Sequence, residues 1–290
     1  MAASNLGRPV SARFRISGIP IFTYHGVCAA SSIRARGREA SYWIGRDAFE
    51  NQLGCIRRLG YRSTLLDRLC FSQEVSSNDE LQVVLTFDDG LASAYELIFP
   101  LLQEYGFHGV FFLNTAMIGK AGFLSWREIR LMQRDGHSFQ SHSHQHVYLP
   151  WLPKSELAYQ VGISKWMIED SLGTRVDFLS APFGEVNQRV VDTAQKQGYR
   201  AVCNSWSWPA RTGTATINRV CVERSTTLGT FQNLLRGRPV AYWVRAASWA
   251  VRYIPKKLLL RFLPSSAPVE TNSSENDYEI SATHSPFCSD

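Results

Sequence analysis

The sequence predicts an α/β protein in which parallel strands alternate with crossover helices. Short apolar runs alternate with amphipathic segments from about residue 19 to residue 203, which is the pattern of repeated strand–helix units. The apolar run Val83–Phe87 ends in two aspartates and a glycine, as expected where a buried strand breaks at a turn. The chain has 290 residues, 44% of them hydrophobic, and can therefore bury a large core. These observations leave open whether the strands close into a barrel or form an open sheet.

The predicted strands are short apolar runs, and the predicted helices are longer segments, two of which begin with a capping box. Strands are expected at 19–24, 83–87, 109–113, 176–179 and 200–203. Helices are expected at 47–59, 92–105, 125–136, 155–172 and 187–197. A capping box from Asp47 to Glu50 should begin the first helix and Gly60 should end it, and Ser125 with Glu128 should cap the third.

Outside this alternating region, composition divides the chain further. Residues 1–18 are expected to be a loose leader, 19–235 a folded domain, and the Ser-rich residues 264–290 a disordered tail. Residues 236–263 carry seven basic side chains and no acidic one, interleaved with Trp and Tyr. This segment suits either an interfacial helix on anionic lipid or a barrel-covering helix with a solvated basic face.

Charge and hydropathy exclude several classes of protein. A net charge of +6 is too mild to indicate nucleic acid, and the basic segment contains no known nucleic-acid motif. Six scattered cysteines without a CxxC pair predict thiols rather than a disulfide framework. The first residues contain no continuous apolar stretch, and no run approaches the roughly 18 apolar residues of a membrane span. We therefore expect a cytoplasmic protein, with at most peripheral contact to the inner membrane face.

Two adjacent carboxylates, Asp88 and Asp89, follow the strand at 83–87. Functional groups in parallel α/β folds collect at the carboxyl ends of strands, where this pair lies. Neighbouring side chains of a strand point in opposite directions, so one carboxylate can bind a metal while the other faces the attacking water. An Asp-Asp-Gly turn without function is the alternative.

The densest histidine cluster follows about fifty residues later. His142 and His146 are four residues apart, a spacing that allows both imidazoles to reach one ion on a helical turn or a tight loop. Asp89 is our choice for a third ligand, which leaves a coordination position open for water. His137 and His144 are expected to face elsewhere. This pattern predicts a metal-dependent hydrolase.

Three segments together resemble the polysaccharide deacetylase family, whose members share the NodB-homology domain of carbohydrate esterase family 4. They are TFDDG at 86–90, GHSFQSHSHQH at 136–146 and APFG at 181–184, in the family's motif order. The resemblance covers residues 81–224, and the layout is similar to that of poly-N-acetylglucosamine deacetylases. It implies a distorted (β/α) barrel that removes N-acetyl groups, usually from N-acetylglucosamine units.

The same resemblance assigns roles to the first two motifs. It implies that Asp88 is the general base and that zinc or a similar divalent ion is held by Asp89, His142 and His146. The ion would polarise the acetamide carbonyl and lower the pKa of its water toward roughly 7.

The third motif is expected to line the substrate. The resemblance implies that the backbone N–H of Phe183 holds the oxyanion, with Pro182 and Gly184 beside it. Trp206 could offer a stacking surface for a sugar ring, although a lone Trp is more often ordinary packing.

The sequence departs from the family's pattern at two points. Ser180 stands where many members carry an arginine that steadies the catalytic aspartate, which puts the protonation balance of Asp88 in doubt. The late Leu-x-His motif, which holds the general acid in many members, is missing. His25 is the substitute we favour, because it ends the first predicted strand and would reach the same rim as Asp89. A structural strand-end histidine is the alternative.

We therefore predict a metal-dependent N-deacetylase whose partner is an acetylated amino-sugar glycan or a lipid-linked saccharide. Two rivals remain open: a relative that hydrolyses a small non-sugar amide, and a catalytically weak glycan-binding protein that keeps the fold. No nucleic-acid partner is expected.

Overall fold

A computed structural model of the chain describes residues 16, 18–29, 39–71, 81–210 and 213–248. The strands are β1 (Ile21–Tyr24), β2 (Val27–Cys28), β3 (Ile44–Gly45), β4 (Arg62–Ser63), β5 (Gln82–Phe87), β6 (Val110–Leu113), β7 (Ser138–Ser141), β8 (Phe178–Ser180), β9 (Ala201–Cys203), β10 (Thr216–Ile217) and β11 (Val220–Cys221). The helices are α1 (Arg46–Arg58), α2 (Leu66–Phe71), α3 (Phe99–Tyr105), α4 (Trp126–Arg134), α5 (Lys154–Leu172), α6 (Gln188–Lys196) and α7 (Leu228–Leu235). A π-helical turn, Ala94–Ile98, leads directly into α3, and residues 239–248 are also helical.

The main sheet is parallel and runs in the order β10-β9-β8-β7-β6-β5-β1-β11, with β4 paired to the first residues of β5. A separate parallel pair joins β2 to β3. The sheet curls into a half-barrel, so the predicted α/β class and the distorted barrel are both confirmed. Its two edge strands, β10 and β11, are linked by only two residues, Asn218 and Arg219. This link therefore lies between the two edges of the curled sheet.

The two faces of the strands bury separate apolar clusters. One face packs against the helices, and this larger cluster includes Phe22, Leu85 and Phe111. The other face forms a smaller cluster of strand residues, among them Val84 and Phe112. Because side chains alternate along a strand, Val84, Thr86 and Asp88 of the β5 segment share this second, concave face. The concave face therefore leads along β5 directly to the first aspartate.

Most predicted elements are present close to their predicted bounds. The predicted strand at 176–179 is found two residues later as β8, and the predicted helix at 92–105 begins with the π-helical turn. The polar strand β7 and the two-residue strands were not predicted, because Ser138-Phe-Gln-Ser lacks an apolar run. The Ser125 capping box is confirmed, with the Glu128 carboxylate accepting from the Ser125 backbone N–H at 2.7 Å.

The capping box predicted at Asp47 is wrong. The first helix begins at Arg46 after Gly45, and no side chain caps its N-terminus. Asp47 instead lies inside the first turn, where a carboxylate still interacts favourably with the helix dipole. The predicted end is correct, since Gly60 follows the helix with a φ of 75°.

The basic aromatic segment is described only as far as residue 248, and its remainder, like the predicted leader to residue 15 and the tail, lies outside the described residues. Within the described part, Tyr242 is fully buried and donates to the Leu234 carbonyl at 2.9 Å. The Trp208 ring contacts the Trp243 ring, with centroids 5.5 Å apart. Among the described residues, no helix has the length and apolarity needed to cross a bilayer.

Candidate metal centre

The two aspartates at the end of β5 occupy different environments. The Asp88 N–H donates to the Tyr24 carbonyl at 2.9 Å, so Asp88 continues the β1–β5 pairing and its side chain lies on the concave face. Asp89 then adopts a φ of 75° and Gly90 a φ of 71°, which turns the chain sharply. A Cβ at Gly90 would make a tight contact of 3.2 Å with Leu113 Cδ2, and the positive φ of Gly90 in itself favours glycine. The turn separates the two carboxylates.

Asp88 forms a buried, bidentate ion pair with Arg219. The Arg219 Nη1 and Nη2 atoms donate to the two carboxylate oxygens, each at 2.8 Å. Arg219 is fully buried, and it also donates to the Asn204 carbonyl and to the Thr86 hydroxyl. A two-point contact of this kind fixes the orientation of the carboxylate as well as its charge.

Ser180 completes this network from the end of β8. Its hydroxyl accepts from Arg219 Nη2 at 2.7 Å and donates to Asp88 Oδ2 at 3.1 Å. The small side chain at 180 therefore bridges the ion pair instead of competing with it. The sequence analysis left the protonation balance of Asp88 in doubt because Ser180 replaces the usual arginine, and Arg219 supplies a guanidinium to Asp88 from another part of the chain.

The charge of Asp88 follows from these contacts. Burial opposes its ionisation, but the Arg219 guanidinium and His142 outweigh burial, so the pKa of Asp88 is lowered from its ordinary value. Asp88 is therefore a carboxylate near neutral pH.

Asp89, His142 and His146 converge on one point. Asp89 Oδ1 lies 3.3 Å from His142 Nε2 and 3.3 Å from His146 Nε2, and the three ligand atoms are all within 4.8 Å of one another. Ligands about 2.0–2.2 Å from a tetrahedral zinc lie roughly 3.3–3.5 Å apart. The spacing of the donor atoms therefore fits a divalent ion between them.

The hydrogen bonds of His142 support the same conclusion. His142 Nδ1 lies 2.9 Å from the Ser180 carbonyl oxygen, which can only accept, so Nδ1 carries the proton. In the neutral imidazole, Nε2 then directs a lone pair at the Asp89 carboxylate. Asp89 Oδ1 is buried and makes no hydrogen bond. Two electron-rich atoms face each other here, an arrangement that a cation would stabilise.

The electrostatics of the cluster also favour added positive charge. Burial opposes charging of His142, yet the carboxylates of Asp88 and Asp89 outweigh it and raise the pKa of His142. Burial likewise opposes ionisation of Asp89, but the two imidazoles and His25 hold the pKa of Asp89 well below its usual range. A divalent ion would supply this positive charge without a proton.

Backbone strain is concentrated in this cluster. Among the described residues, four that are not glycine have a positive φ, and all belong to the three motifs: Asp89, Ser143, His146 and Phe183. Left-handed backbone in such residues costs about 1–3 kcal/mol each and persists where the surroundings enforce it. Such a concentration of strained residues is typical of functional sites.

His25 lies at the same rim. It follows Tyr24, whose carbonyl accepts from the Asp88 N–H, and its ring contacts the tilted Tyr42 ring with centroids 4.7 Å apart. A Cβ at Gly26 would lie 2.4 Å from the Trp43 ring, so the backbone here is closely covered. Burial lowers the pKa of His25, and the opposing effect of Asp89 and Asp88 is smaller. His25 Nδ1 is buried without a hydrogen bond.

The third motif adjoins the cluster through Phe183. The Phe183 ring lies 4.9 Å from the His146 ring and is 55% exposed, while Pro182 and Gly184 are buried. Trp206 is exposed in the loop after β9, one residue beyond Ser205, whose N–H donates to the Gly184 carbonyl.

The two other histidines of the second motif lie outside the cluster. The buried His137 accepts from the Gly109 N–H at Nδ1, at 3.0 Å, and burial lowers its pKa to about 4. His144 Nδ1 lies 2.9 Å from the Thr115 hydroxyl. These contacts agree with the expectation that both face elsewhere.

Sequence reasoning missed Arg219. It carries the charge in an otherwise apolar stretch, Ile217-Asn-Arg-Val-Cys-Val222. An arginine between apolar strand residues indicates a buried guanidinium that needs a carboxylate partner, and this signal could have identified it.

A family model described as "Polysaccharide deacetylase" matches residues 76–202. The chain is similar to YxkH of Bacillus subtilis, whose name assigns it to the polysaccharide deacetylases, with 26% identity over 185 residues. That match covers 63% of this chain and 62% of YxkH. Chitin deacetylase 1 of Cryptococcus neoformans is 26% identical over 135 residues, which cover 46% of this chain and 27% of that protein. The chain thus spans less than two thirds of each curated relative.

Solved structures share the fold. The deacetylase PplD of Streptococcus pyogenes, in complex with acetate, has a TM-score of 0.67 and 22% identity, covering 77% of this chain and 98% of PplD. IcaB from Ammonifex degensii has a TM-score of 0.65 and 21% identity, with the same coverage of both chains. At these identities the likeness shows the fold alone.

Removing one of the three converging groups should weaken metal binding. We expect the wild type to bind about one zinc ion per chain in equilibrium dialysis, and His146→Ala to bind it at least roughly tenfold to a hundredfold more weakly. The matched control is His144→Ala, which removes an imidazole two residues away that bonds to Thr115. Equal zinc affinity in the wild type and His146→Ala would contradict the assignment.

Removing Arg219 should leave a buried, unpaired carboxylate. We expect Arg219→Met to lower the free energy of unfolding by about 3–5 kcal/mol, measured by urea denaturation. The double variant Asp88→Asn/Arg219→Met should lose less, because no buried charge then remains unpaired. A loss below about 1 kcal/mol in Arg219→Met would show that the pair is not buried as described.

Proposed function

We propose that the chain is a polysaccharide deacetylase, a metal-dependent hydrolase that removes N-acetyl groups from N-acetylglucosamine-type sugars in a glycan or glycolipid, and the family model matched by residues 76–202 supports this proposal. The family match supports the coarser statement, the deacetylation of acetylated sugars by hydrolysis. The metal and the sugar are our proposal.

One observation carries this proposal: a metal-binding geometry lies beside a carboxylate that is held ionised. Asp89 Oδ1 and the two imidazole Nε2 atoms have the spacing of zinc ligands. Asp88, the neighbouring residue, keeps its charge through Arg219. A Lewis-acid site next to a general base is the arrangement that hydrolysis of an unactivated amide requires.

The donor set favours zinc, which takes two histidines and a carboxylate and keeps a fourth position open. When bound, such an ion polarises the acetamide carbonyl and lowers the pKa of water at that position. Asp88 then accepts the proton of the attacking water. Arg219 and Ser180 hold the Asp88 carboxylate in place during this transfer. The Phe183 N–H is our candidate for a hydrogen bond to the oxyanion, with Pro182 and Gly184 shaping the same turn.

His25 is our candidate for the general acid that protonates the leaving amine. It ends β1, next to the strand end that carries Asp88, and both aspartates act on its pKa. Its lowered pKa makes the imidazolium a stronger proton donor than an ordinary histidine, although a smaller fraction is protonated near neutral pH. Trp206 stays a proposal as a sugar-stacking residue.

We also propose peripheral contact with an anionic membrane through residues 236–263. Within the described part of this segment, Val240, Trp243 and Val244 are at least 63% exposed, and their spacing places them on one face of the helix. The basic residues of the segment supply charge complementary to anionic lipid. A lipid-linked saccharide would then be a suitable substrate.

Acetate release tests the proposed function. We expect the purified protein to release acetate from N-acetylglucosamine oligomers, and a chelator to abolish the release until zinc is restored. Asp88→Asn should reduce kcat at least roughly a hundredfold while retaining bound zinc, because it removes the proton acceptor and none of the ligands.

The variant His25→Gln, together with the wild type, tests whether the chain is an enzyme or a glycan-binding protein. Loss of turnover with zinc retained supports an enzyme with an early acid. Wild-type protein that binds oligomers and zinc but releases no acetate would favour the binding protein. Absence of both acetate release and zinc binding would contradict the hydrolase assignment.

Vesicle sedimentation tests the membrane contact. We expect the protein to sediment with vesicles that contain phosphatidylserine and to remain in solution with neutral phosphatidylcholine or at high salt. Trp243→Ala should weaken the association, whereas Trp166→Ala, which alters an exposed Trp on α5, should not. Equal sedimentation with both lipids would rule out the electrostatic contact.

A further inference from the structure

A short segment of the chain covers His25, and we call its residues 39–45 the cover segment. The Tyr42 ring lies against the His25 ring, with centroids 4.7 Å apart and the two planes tilted by 34°. The Trp43 ring lies over the next residue, Gly26, where a Cβ would come within 2.4 Å of it. Two successive rings of the cover segment thus border the histidine and the glycine that follows it.

Backbone hydrogen bonds hold the cover segment on both sides of Tyr42. Before it, the Ser41 carbonyl accepts from the Arg224 N–H at 2.7 Å, shortly after β11. After it, β3 pairs with β2, and the Ile44 N–H donates to the Gly26 carbonyl at 3.0 Å. The backbone that carries the Tyr42 ring is therefore fixed at both ends.

His25 needs such support because its Nδ1 atom does not orient it. This atom is buried and makes no hydrogen bond within the described part of the chain. The residue as a whole stays partly exposed, which leaves the Nε2 edge of the ring as the side open to a substrate. In functional histidines, the hydrogen bond at one ring nitrogen normally sets the direction of the other. At His25 the packing of the ring has to take over this task.

Contact with a fixed aromatic ring can replace the missing hydrogen bond. We propose that Tyr42 is a positioning residue, whose ring holds the His25 imidazole in the orientation from which Nε2 reaches the leaving amine. This inference rests on the proposed function and on the proposed role of His25 as the general acid. When the C–N bond of the acetamide breaks, its electron pair stays on nitrogen, which takes a proton from His25, so that acetate and amine are the products. Misplacing a catalytic group by about 1 Å can cost roughly a hundredfold in rate.

The nature of the leaving group provides the test. An amine leaves only with a proton, whereas p-nitrophenolate leaves as an anion, so hydrolysis of p-nitrophenyl acetate needs no general acid. We expect Tyr42→Ala to reduce kcat for acetate release from N-acetylglucosamine oligomers roughly 10- to 100-fold, with little change in KM. The same variant should change kcat/KM for p-nitrophenyl acetate less than about threefold. Tyr42→Phe, which keeps the ring, should retain most of the activity on oligomers.

A second variant and a control complete the experiment. His25→Gln should show the same selective loss, and adding Tyr42→Ala to it should cause no further loss, because both residues act through one proton transfer. The matched control is Tyr159→Ala, since the Tyr159 ring contacts a histidine outside the metal cluster, His144, with centroids 6.1 Å apart. Should Tyr42→Ala fail to fold, Tyr42→Leu, which keeps apolar volume without a flat ring, takes its place.

Equal losses on oligomer and ester would make Tyr42 an ordinary structural residue and overturn the inference. Unchanged oligomer activity in Tyr42→Ala, or a full additional loss in the double variant, would overturn it as well. In these cases the wild type still releases acetate, so the deacetylase assignment stands. If the wild type does not hydrolyse the ester, the double variant decides alone. If it releases no acetate from any oligomer, the proposed function fails and the inference fails with it.

Discussion

The buried ion pair between Asp88 and Arg219 organises the concave face of this protein. The guanidinium comes from the two-residue link between the edge strands of a curled sheet, and the carboxylate lies at the end of a central strand. Burying either charge alone would be costly, so each requires the other in its place. Through Ser180 and the Asn204 carbonyl the same guanidinium also joins the ends of β8 and β9. The half-barrel is thereby fixed at the rim where the chemistry is proposed to occur.

Around this pair, the side chains of Asp88 and Asp89 point in different directions and therefore have different partners. Asp88 remains in the direction set by β5 and contacts Arg219, whereas the left-handed turn at Asp89 directs its carboxylate toward His142 and His146. One carboxylate is thus neutralised by a permanent cation and kept from the metal position. The other faces the imidazoles of His142 and His146, an arrangement that an additional cation would stabilise. Two adjacent residues of the same type acquire different chemistry from backbone geometry alone.

The sequence predicted the parts that depend on local pattern. Apolar runs and capping residues located the main strands and helices, and motif spacing selected Asp88, Asp89, His142 and His146, which the structure brings to one rim. Contacts between distant segments were less accessible. Arg219 is 131 residues from Asp88, and no local signal pairs them. The strand β7 was missed because its side chains are largely polar although Phe139, Gln140 and Ser141 are buried. The ring contacts of Tyr148 with Trp151 and Phe183 depend on a turn at 149–151 meeting a turn at 182–184, which periodicity cannot reveal.

The position of Arg219 also affects how the protein folds. Loops that bring together residues far apart in sequence carry a closure entropy that must be overcome before the contact stabilises the chain. We therefore expect Asp88 to acquire its partner late in folding, once the segments between the two residues have docked. Until that step, the chain holds an unpaired carboxylate on an unfinished concave face. Pairing of the proposed general base is thus coupled to completion of the half-barrel, so we expect a partly folded chain to lack the proposed activity even with its first two motifs already formed.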